Sequence, residues 1–535
     1  MDKYICTIIN GLYKKTINVL KGKTIFEVLI SNSIFLDAPC GGRGECGKCK
    51  VKVKGKLSLI TDGEKEFLSD EEINKGFRLA CYAKIEGDLT VYIDDNEFEV
   101  ETNTKGLKIE INPSIDIKKY KNQVSLIVGM AVDIGTTTVA AFFYNLETGM
   151  HLYTASRINM QKAYGADVMS RINYCTNNED GNEILHKVII EQLNEMIDEF
   201  CRESGCNSST ICDCVLTGNT TMLLLAANIS VVSLGHLPFE PQSYFGEYIS
   251  NEKIGFNINK SANIYFMPII SGFLGGDAVS VMLACDYDKQ EDNSYMVDIG
   301  TNGEMAIKHN GSIYACSTAA GPAFEGAQIK FGTGSIDGAI KKVSQENGKI
   351  KLSIIGKGNP IGICGSGLLD AVSIMKINNI IDETGRIEQD YKGIYKEYVF
   401  ECDGEISFSL NDKKSIYITQ KDIREVQLAK AAISAGTTML LKSAQIEDFD
   451  VKNIYVAGGF GSAINMDSAG EIGLLPKHFT INAKSIGNAA GTGAIMALLS
   501  SNDRERANKI SKQVKIVELS GNPIFENEFI ERILF

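Results

Sequence analysis

The sequence predicts an α+β chain of more than one domain. A small unit of strands around one short helix comes first, then a linker, then a larger α/β body that is internally duplicated. Three observations carry this. Cys40 to Cys49 reads C-G-G-R-G-E-C-G-K-C, and Cys81 follows after 31 further residues. The elements around that stretch run strand, strand, helix, loop, strands within residues 1–98. The word V-D-I-G-T occurs twice, with its aspartates, Asp133 and Asp298, 165 residues apart. Identical words at the same point of two hairpins indicate a repeated fold.

The first unit is organised around its cysteines, spaced C-x5-C, then C-x2-C, then a lone fourth. Thiolates are the natural ligands of iron in iron–sulfur clusters, and plant-type two-iron clusters use a similar three-plus-one arrangement. Structural zinc, the other chemistry open to four thiolates, is usually held by two close pairs. Four glycines stand between Cys40 and Cys49. A loop wrapped round an anionic cluster needs them, because side chains would keep its N–H groups from the sulfides. The spacing resembles the C-x5-C-x2-C ferredoxins of the adrenodoxin kind. Cys40, Cys46, Cys49 and Cys81 are thus the expected ligands of a 2Fe–2S cluster. Gly42-x4-Gly47-Lys48 imitates a phosphate loop, but Cys49 stands where magnesium needs a hydroxyl.

Composition excludes several classes. At 535 residues the chain exceeds one ordinary core. Its formal charge is −13, with no long basic run, which argues against nucleic acid and against a basic membrane-binding patch. No apolar run reaches a membrane-spanning length and no N-terminal signal pattern is present, so a cytoplasmic location is expected. The 14 cysteines then read as reduced thiols and metal ligands. Cys201, Cys206, Cys212 and Cys214 form a second loose group; without a glycine cradle they are expected to be ordinary buried or edge thiols. The five histidines show no ligand spacing.

Residues 4–9 and 16–20 read as strands joined through an Asn10-Gly11 turn. Thr24 with Glu27 is a capping box that starts a short helix to about Asn32. After the cysteine loop come a strand at 51–58, an acidic helix near 62–73, and a strand at 89–93. This is the β-grasp order of ferredoxins. Residues 99–125 lack a period and read as a linker, or else as a poorly patterned edge strand. From 126 to 535 buried strands run into tight turns, in halves of about 126–295 and 296–535. Asp133 ends a strand and Gly135-Thr136-Thr137-Thr138 turns it; Asp298 does the same before Gly300-Thr301-Asn302-Gly303. Asn453 to Ala457 is a strand that enters Gly458-Gly459-Phe460-Gly461. Thr419 through Ser443 reads as a long amphipathic core helix.

A strand-end carboxylate beside a Gly-Thr turn offers an oxygen for a metal-bound water. It also offers N–H groups and hydroxyls for phosphate oxygens. Two such hairpins facing each other would hold a polyphosphate and its magnesium from both sides, and a Gly-Gly-x-Gly turn leaves room for a base or ribose. These three stretches resemble the phosphate-1, phosphate-2 and adenosine motifs of the actin-like (ribonuclease H-like) ATPase superfamily. With the ferredoxin unit, the whole chain is similar to the ATP-dependent reductive activators of corrinoid proteins. Thr217 to Met222, Ala320 to Ala327 and Gly362 to Gly367 fit that family too. Longer members carry a middle segment between linker and ATPase for which residues 99–125 are too short, and a homodimer is left open.

The resemblance implies ATP and Mg2+ as cofactors beside the 2Fe–2S cluster, with Asp133 and Asp298 catalytic. Gly135, Thr136, Thr137, Thr138, Gly300, Thr301, Asn302, Gly303, Gly458, Gly459 and Gly461 would bind ATP. It implies one electron passed from the cluster to the cob(II)alamin of a corrinoid methyl-transfer protein, restoring cob(I), with a low-potential donor upstream. Nucleotide would open and close the ATPase as a hinge. Two alternatives stay open: an activator of another low-potential enzyme such as a dehydratase, and a redox-sensing nucleotide-binding protein. Glu304 and Glu325 are either water-orienting groups or plain surface or capping carboxylates. Gly365-Ser366-Gly367 either presents a helix N-terminus to phosphate or ribose or only caps that helix.

Overall fold

A computed structural model of the chain describes residues 3–10, 13–32, 36, 42, 44, 47, 49–93, 111–124, 126–346, 348–402, 404–458 and 464–535. Cys40, Cys46, Gly459, Gly461, the Gly11 turn position and residues 99–110 of the expected linker lie outside them.

In the first unit β1 (Lys3–Asn10) and β2 (Tyr13–Leu20) pair antiparallel. Cys6, Ile8 and Val19 alternate inward to the core. The capping box forms: Glu27 N–H donates to Thr24 Oγ1 at 3.1 Å, and Thr24 N–H donates to Glu27 Oε2 at 2.9 Å. It opens α1 (Ile25–Ile30). The expected acidic helix over 62–73 is instead two short ones, α2 (Asp62–Lys65) and α3 (Asp70–Asn74). Each has its own box, Thr61 with Glu64 and Ser69 with Glu72. Ser69 competes as a new cap and Leu68 turns into the core between them. With β3 (Lys50–Leu57), β4 (Phe77–Leu79) and β5 (Ile85–Ile93) the sheet runs β2-β1-β5-β3-β4, and β5 lies parallel to β1. That is the β-grasp arrangement.

Of the expected linker, residues 111–124 are docked on the body and are no free tether. Asn112 N–H donates to the Leu499 carbonyl at 2.8 Å, and Ser501 N–H donates back to Asn112 O at 2.7 Å. In α4 (Ile117–Lys121) Tyr120 is buried and donates to the Ser261 carbonyl at 2.5 Å. Ile115 and Tyr120 were too few in sequence to make a period, yet both enter the body's core.

The body repeats one plan. The first half holds β6 (Val128–Ile134), β7 (Thr138–Asn145), β8 (His151–Ile158), α5 (Val168–Asn177), α6 (Gly181–Ser204), β9 (Ile211–Gly218), α7 (Thr220–Ala226), β10 (Glu247–Ser250), α8 (Asn251–Ile254), β11 (Asn263–Phe266) and α9 (Gly276–Ala284). The second has β12 (Ser294–Ile299), β13 (Gly303–His309) and β14 (Ser312–Thr318). After an insertion of two three-stranded sheets, β15 to β17 (Ala339–Glu346, Lys349–Ile354, Gly362–Ile363) and β18 to β20 (Val399–Cys402, Glu405–Ser409, Tyr417–Thr419), its main sheet resumes. The helices there are α10 (Gly365–Ile377), α11 (Gln420–Ala444), α12 (Met466–Glu471), α13 (Phe479–Asn482), α14 (Ala489–Leu499), α15 (Ser501–Gln513) and α16 (Pro523–Glu531), with β21 (Asn453–Ala457), β22 (Ala483–Gly487) and β23 (Val514–Ile516).

The main sheets run β10-β11-β9-β6-β7-β8 and β22-β21-β12-β13-β14-β23. Stripped of β10 and β23 each is fifth-fourth-first-second-third, with the first three antiparallel and the rest parallel. That is the ribonuclease H-like order. Helices α9 and α14 contribute to a core that also takes Ala131 of the first sheet and Met296 of the second. The expected helix at 419–443 is α11, with Thr419 as its cap and a largely buried face.

Candidate functional site: a two-thiolate loop and a carboxylate-lined cleft

In the first unit Cys49, at the head of β3, is buried and Cys81, just past β4, is half-buried. Their sulfurs lie 3.3 Å apart. A disulfide holds its sulfurs at about 2.05 Å, whereas two thiolates on one tetrahedral metal at about 2.3 Å stand roughly 3.7 Å apart. The hydrogen bond with Cys81 draws the Cys49 thiol down to about 7 against the opposing effect of burial, which favours the thiolate that metals bind. Gly42, Gly44 and Gly47 all have positive φ. A Cβ on them would meet Phe26, Tyr82 and Phe67 at 2.6, 2.5 and 2.5 Å. The Tyr82 hydroxyl donates to the Gly44 carbonyl at 3.2 Å. Behind the loop, Arg78 grips the buried Glu64 with two bonds of 2.8 and 3.0 Å, fixing β4 next to Cys81. Two thiolates and a cradle that only glycine can fill fit an iron–sulfur cluster.

In the body the first hairpin turns after Asp133, with Gly135 N–H donating to Thr138 O at 2.9 Å. Three side chains brace this turn. Asn159 Nδ2 donates to Gly135 O at 2.8 Å and Asn219 Nδ2 to Thr136 Oγ1 at 2.9 Å. Arg171, fully buried, donates through Nη2 to Thr136 O at 2.5 Å. The second hairpin turns after Asp298, with Gly300 N–H donating to Asn302 O at 3.0 Å. The fourth strand of each half runs into an equivalent glycine, Gly218 closing β9 and Gly458 following β21. Gly218 (φ +152°) abuts Ile134 O, and Gly458 (φ +127°) abuts Ile299 O; a Cβ would stand 2.5 and 2.4 Å from those carbonyls. No side chain fits there, so the backbone passes close to both turns.

The carboxylates of the two halves converge. Asp133 is pushed up to about 7 by burial and by Asp277, against a hydrogen bond from Asn488. Asp298 is pushed up to about 8 by burial, then by Asp277, Asp133 and Glu325. Asp277, in the first turn of α9, rises to about 6 through burial. Glu304, opposite Asp298 across the hairpin, is raised well above its usual range by burial, Asp277 and Asp298. Carboxylates that raise one another in this way form a site demanding positive charge. Among the described residues no three His, Cys, Asp or Glu side chains are placed to hold a metal directly. Glu325 accepts the Thr137 hydroxyl, and also the Thr301 hydroxyl at 2.7 Å.

Asp277, Asn488, Arg171, Asn159 and Asn219 were absent from the sequence-derived site. Gly275-Gly276-Asp277 ahead of an apolar run was the available signal for Asp277, but an acid in a first helical turn usually just complements the helix dipole. Asn488 is the cap of α14, accepting from Gly491 N–H at 2.9 Å. Ser366 donates to the Lys341 carbonyl at 2.7 Å, and the first residues of α10 are buried. Cys212 is pushed up to about 12 by burial and Asp213, and burial with the same aspartate raises Cys214 well above its usual range. Asp213 between them is paired with the buried Arg504 at 2.5 Å, so this group is structural.

Fold and site together define a ferredoxin-type iron–sulfur domain joined to a two-lobed, ribonuclease H-like nucleotide-binding body. Three family models match: the 2Fe-2S iron-sulfur cluster binding domain over residues 8–86, the RACo middle region over 128–290, and the C-terminal ASKHA domain of RACo over 292–535. The chain is 31% identical to the corrinoid activation enzyme RamQ of Eubacterium limosum over 98% of both chains. It is 25% identical to the [Co(II) methylated amine-specific corrinoid protein] reductase of Methanosarcina barkeri over 69% of each. The solved structure of a reductive activator for corrinoid,iron-sulfur protein superposes with a TM-score of 0.74 at 28% identity, covering 99% of this chain and 98% of that one. The chain belongs to the RACo family of corrinoid-protein activators. The RamQ alignment spans 587 positions against 535 residues here, so that relative carries residues this chain lacks. No helix among the described residues is long and apolar enough to cross a membrane.

Proposed function

We propose that this chain is a cytoplasmic, ATP-hydrolysing reductive activator. It passes one electron from a 2Fe–2S cluster to the cob(II)alamin of a corrinoid methyl-transfer protein, restoring cob(I). The observation that carries this is the pairing, in one polypeptide, of a glycine-cradled thiolate pair with a cleft where two repeated hairpins bring their carboxylates together. Reducing cob(II) from ordinary donors is uphill, and each tenfold shift of a one-electron equilibrium corresponds to about 59 mV. A nucleotide-driven change in the complex supplies that shift.

Cys40, Cys46, Cys49 and Cys81 would hold the cluster, which would supply a one-electron carrier. Asp133 and Asp298 would hold Mg2+ through its bound water, and the ion would supply charge that offsets the phosphates. The N–H groups and hydroxyls of Gly135 to Thr138 and Gly300 to Gly303 would bind phosphate oxygens, and Gly458, with Gly459 and Gly461 of the same motif, would serve the nucleoside. Asp277 faces both hairpin aspartates and orients the attacking water. The test is the absorbance change from cob(II) to cob(I) in candidate corrinoid proteins under a low-potential reductant, with and without ATP. The intact chain should reduce its partner only with ATP. Asp133→Ala should keep the cluster spectrum and lose both ATP hydrolysis and the ATP-dependent reduction. Residues 1–96 reducing the partner as fast as the full chain would refute the ATP-driven mechanism.

A further inference from the structure

Glu325 sits at the end of a short 3-10 turn (Ala323–Glu325) in the loop after β14. Its two oxygens serve different halves of the body. Oε2 accepts the Thr137 hydroxyl of the first turn, and Oε1 accepts the Thr301 hydroxyl of the second at 2.7 Å. Gly321 N–H, in the same loop, donates to the Thr301 carbonyl at 2.9 Å. The loop is therefore anchored on the second half, and Thr137 is its reach across the cleft.

Behind Thr137 lies Arg171. Its hydrogen bonds go to Thr136 O, Gly165 O, Gln161 Oε1 and Met222 Sδ, neutral acceptors throughout. Burial lowers the guanidinium to about 9, and Asp167 and Glu325 are the charges that oppose this. Glu325 thus helps balance the cation that braces the first turn, as well as bonding both turns.

A carboxylate that takes one hydroxyl on each oxygen occupies the same donors as two oxygens of a polyphosphate. We propose that Glu325 is a positioning strap between the two halves, for whose hydroxyl partners the polyphosphate of ATP competes. ATP takes over Thr137 and Thr301, the carboxylate lets go, and the cross-link between the halves is exchanged for one made through the nucleotide. This rests on the reading that the two turns bind the phosphates of ATP.

The experiment is calorimetric titration of the full-length protein with Mg-ATP, comparing the unmodified chain with Glu325→Gln, Glu325→Asp, Thr301→Val and the Glu325→Gln/Thr301→Val double variant. Glu325→Gln should bind Mg-ATP about tenfold tighter, because a neutral amide is a weaker competitor by roughly one charge-assisted hydrogen bond. Glu325→Asp, which keeps the charge but lacks the reach to both hydroxyls, should fall between the two. In the Thr301→Val background the gain should shrink to less than half, since one of the contested donors is gone. A side chain that merely props the loop would give weaker binding on substitution. Binding by Glu325→Gln that is unchanged or weaker, while the unmodified chain binds normally, overturns the strap. Should Glu325→Gln not fold, Glu325→Asp binding no tighter than the unmodified chain overturns it equally. An unmodified chain that binds no Mg-ATP overturns the strap and the proposed nucleotide site together.

Discussion

Replacing Asp298 by Asn is expected to make the body more stable while removing its nucleotide chemistry. Burial and the charges of Asp277, Asp133 and Glu325 push Asp298 from 3.8 up to about 8. The folded chain therefore keeps a proton there that the unfolded chain releases above about pH 4. Stability is fully present below that pH and is lost as pH rises towards 8. At about 1.4 kcal/mol per pH unit, three units between pH 4 and 7 amount to about 4 kcal/mol. That is an upper bound, because Asp298 is only half-buried and shares the repulsion with its neighbours, so about 2–4 kcal/mol is expected at pH 7 to 8. The amide of Asn removes the titration. Thermal unfolding of both proteins, in chelator and at pH 4.5, 6 and 8, checks this. The Asp298→Asn variant should gain little at the lowest pH and most at the highest. Mg-ATP should raise the midpoint of the unmodified chain and leave that of the variant almost unmoved. A variant less stable than the parent at pH 8, or a gain independent of pH, would refute the reasoning.

Two further outcomes follow from the geometry. Cys49→Ser and Cys81→Ser should each lose iron and acid-labile sulfide after anaerobic reconstitution, whereas Cys212→Ala, in the structural group, should retain both; stoichiometric zinc without labile sulfide would remove the cluster assignment. Gly493→Val should separate α14 from α9, because a Cβ at Gly493 would stand 2.1 Å from the Ser280 carbonyl. About 1–3 kcal/mol of stability should be lost in denaturant titration, and Mg-ATP affinity should fall with it, since α14 carries Asn488 to Asp133.

Most of this architecture is legible from local pattern. Cys49 and Cys81 are 32 positions apart and meet because β3 and β4 are paired neighbours, a contact that the β-grasp order already implies. The two V-D-I-G-T words lie on equivalent strands because the fold is repeated. What escaped the sequence is what depends on long-range convergence. Asp277 reads as an ordinary first-turn acid until α9 is placed between the two sheets. Asn488 reads as an ordinary cap until its amide meets Asp133. The break between α2 and α3 was hidden by an unbroken acidic run, because Ser69 as a cap and Ser69 as a helical residue look alike in one dimension. Residues 111–124 escaped for the opposite reason: two buried side chains, Ile115 and Tyr120, suffice to dock a segment but not to write a period.

That docking has a mechanical consequence. Helix α14 is capped by Asn488, whose amide bonds Asp133, and ends at Leu499, whose carbonyl accepts from Asn112 N–H. Its 11 residues make a rod about 16 Å long, with Asp133 at one tip and the docked segment 111–124 at the other. A rotation of about 10–15°, the scale of rigid-body switching motions, displaces the far tip of such a rod by about 3–4 Å. Under the proposed function, a rotation of this size at the cleft would be passed along α14 to Asn112 and the segment docked there.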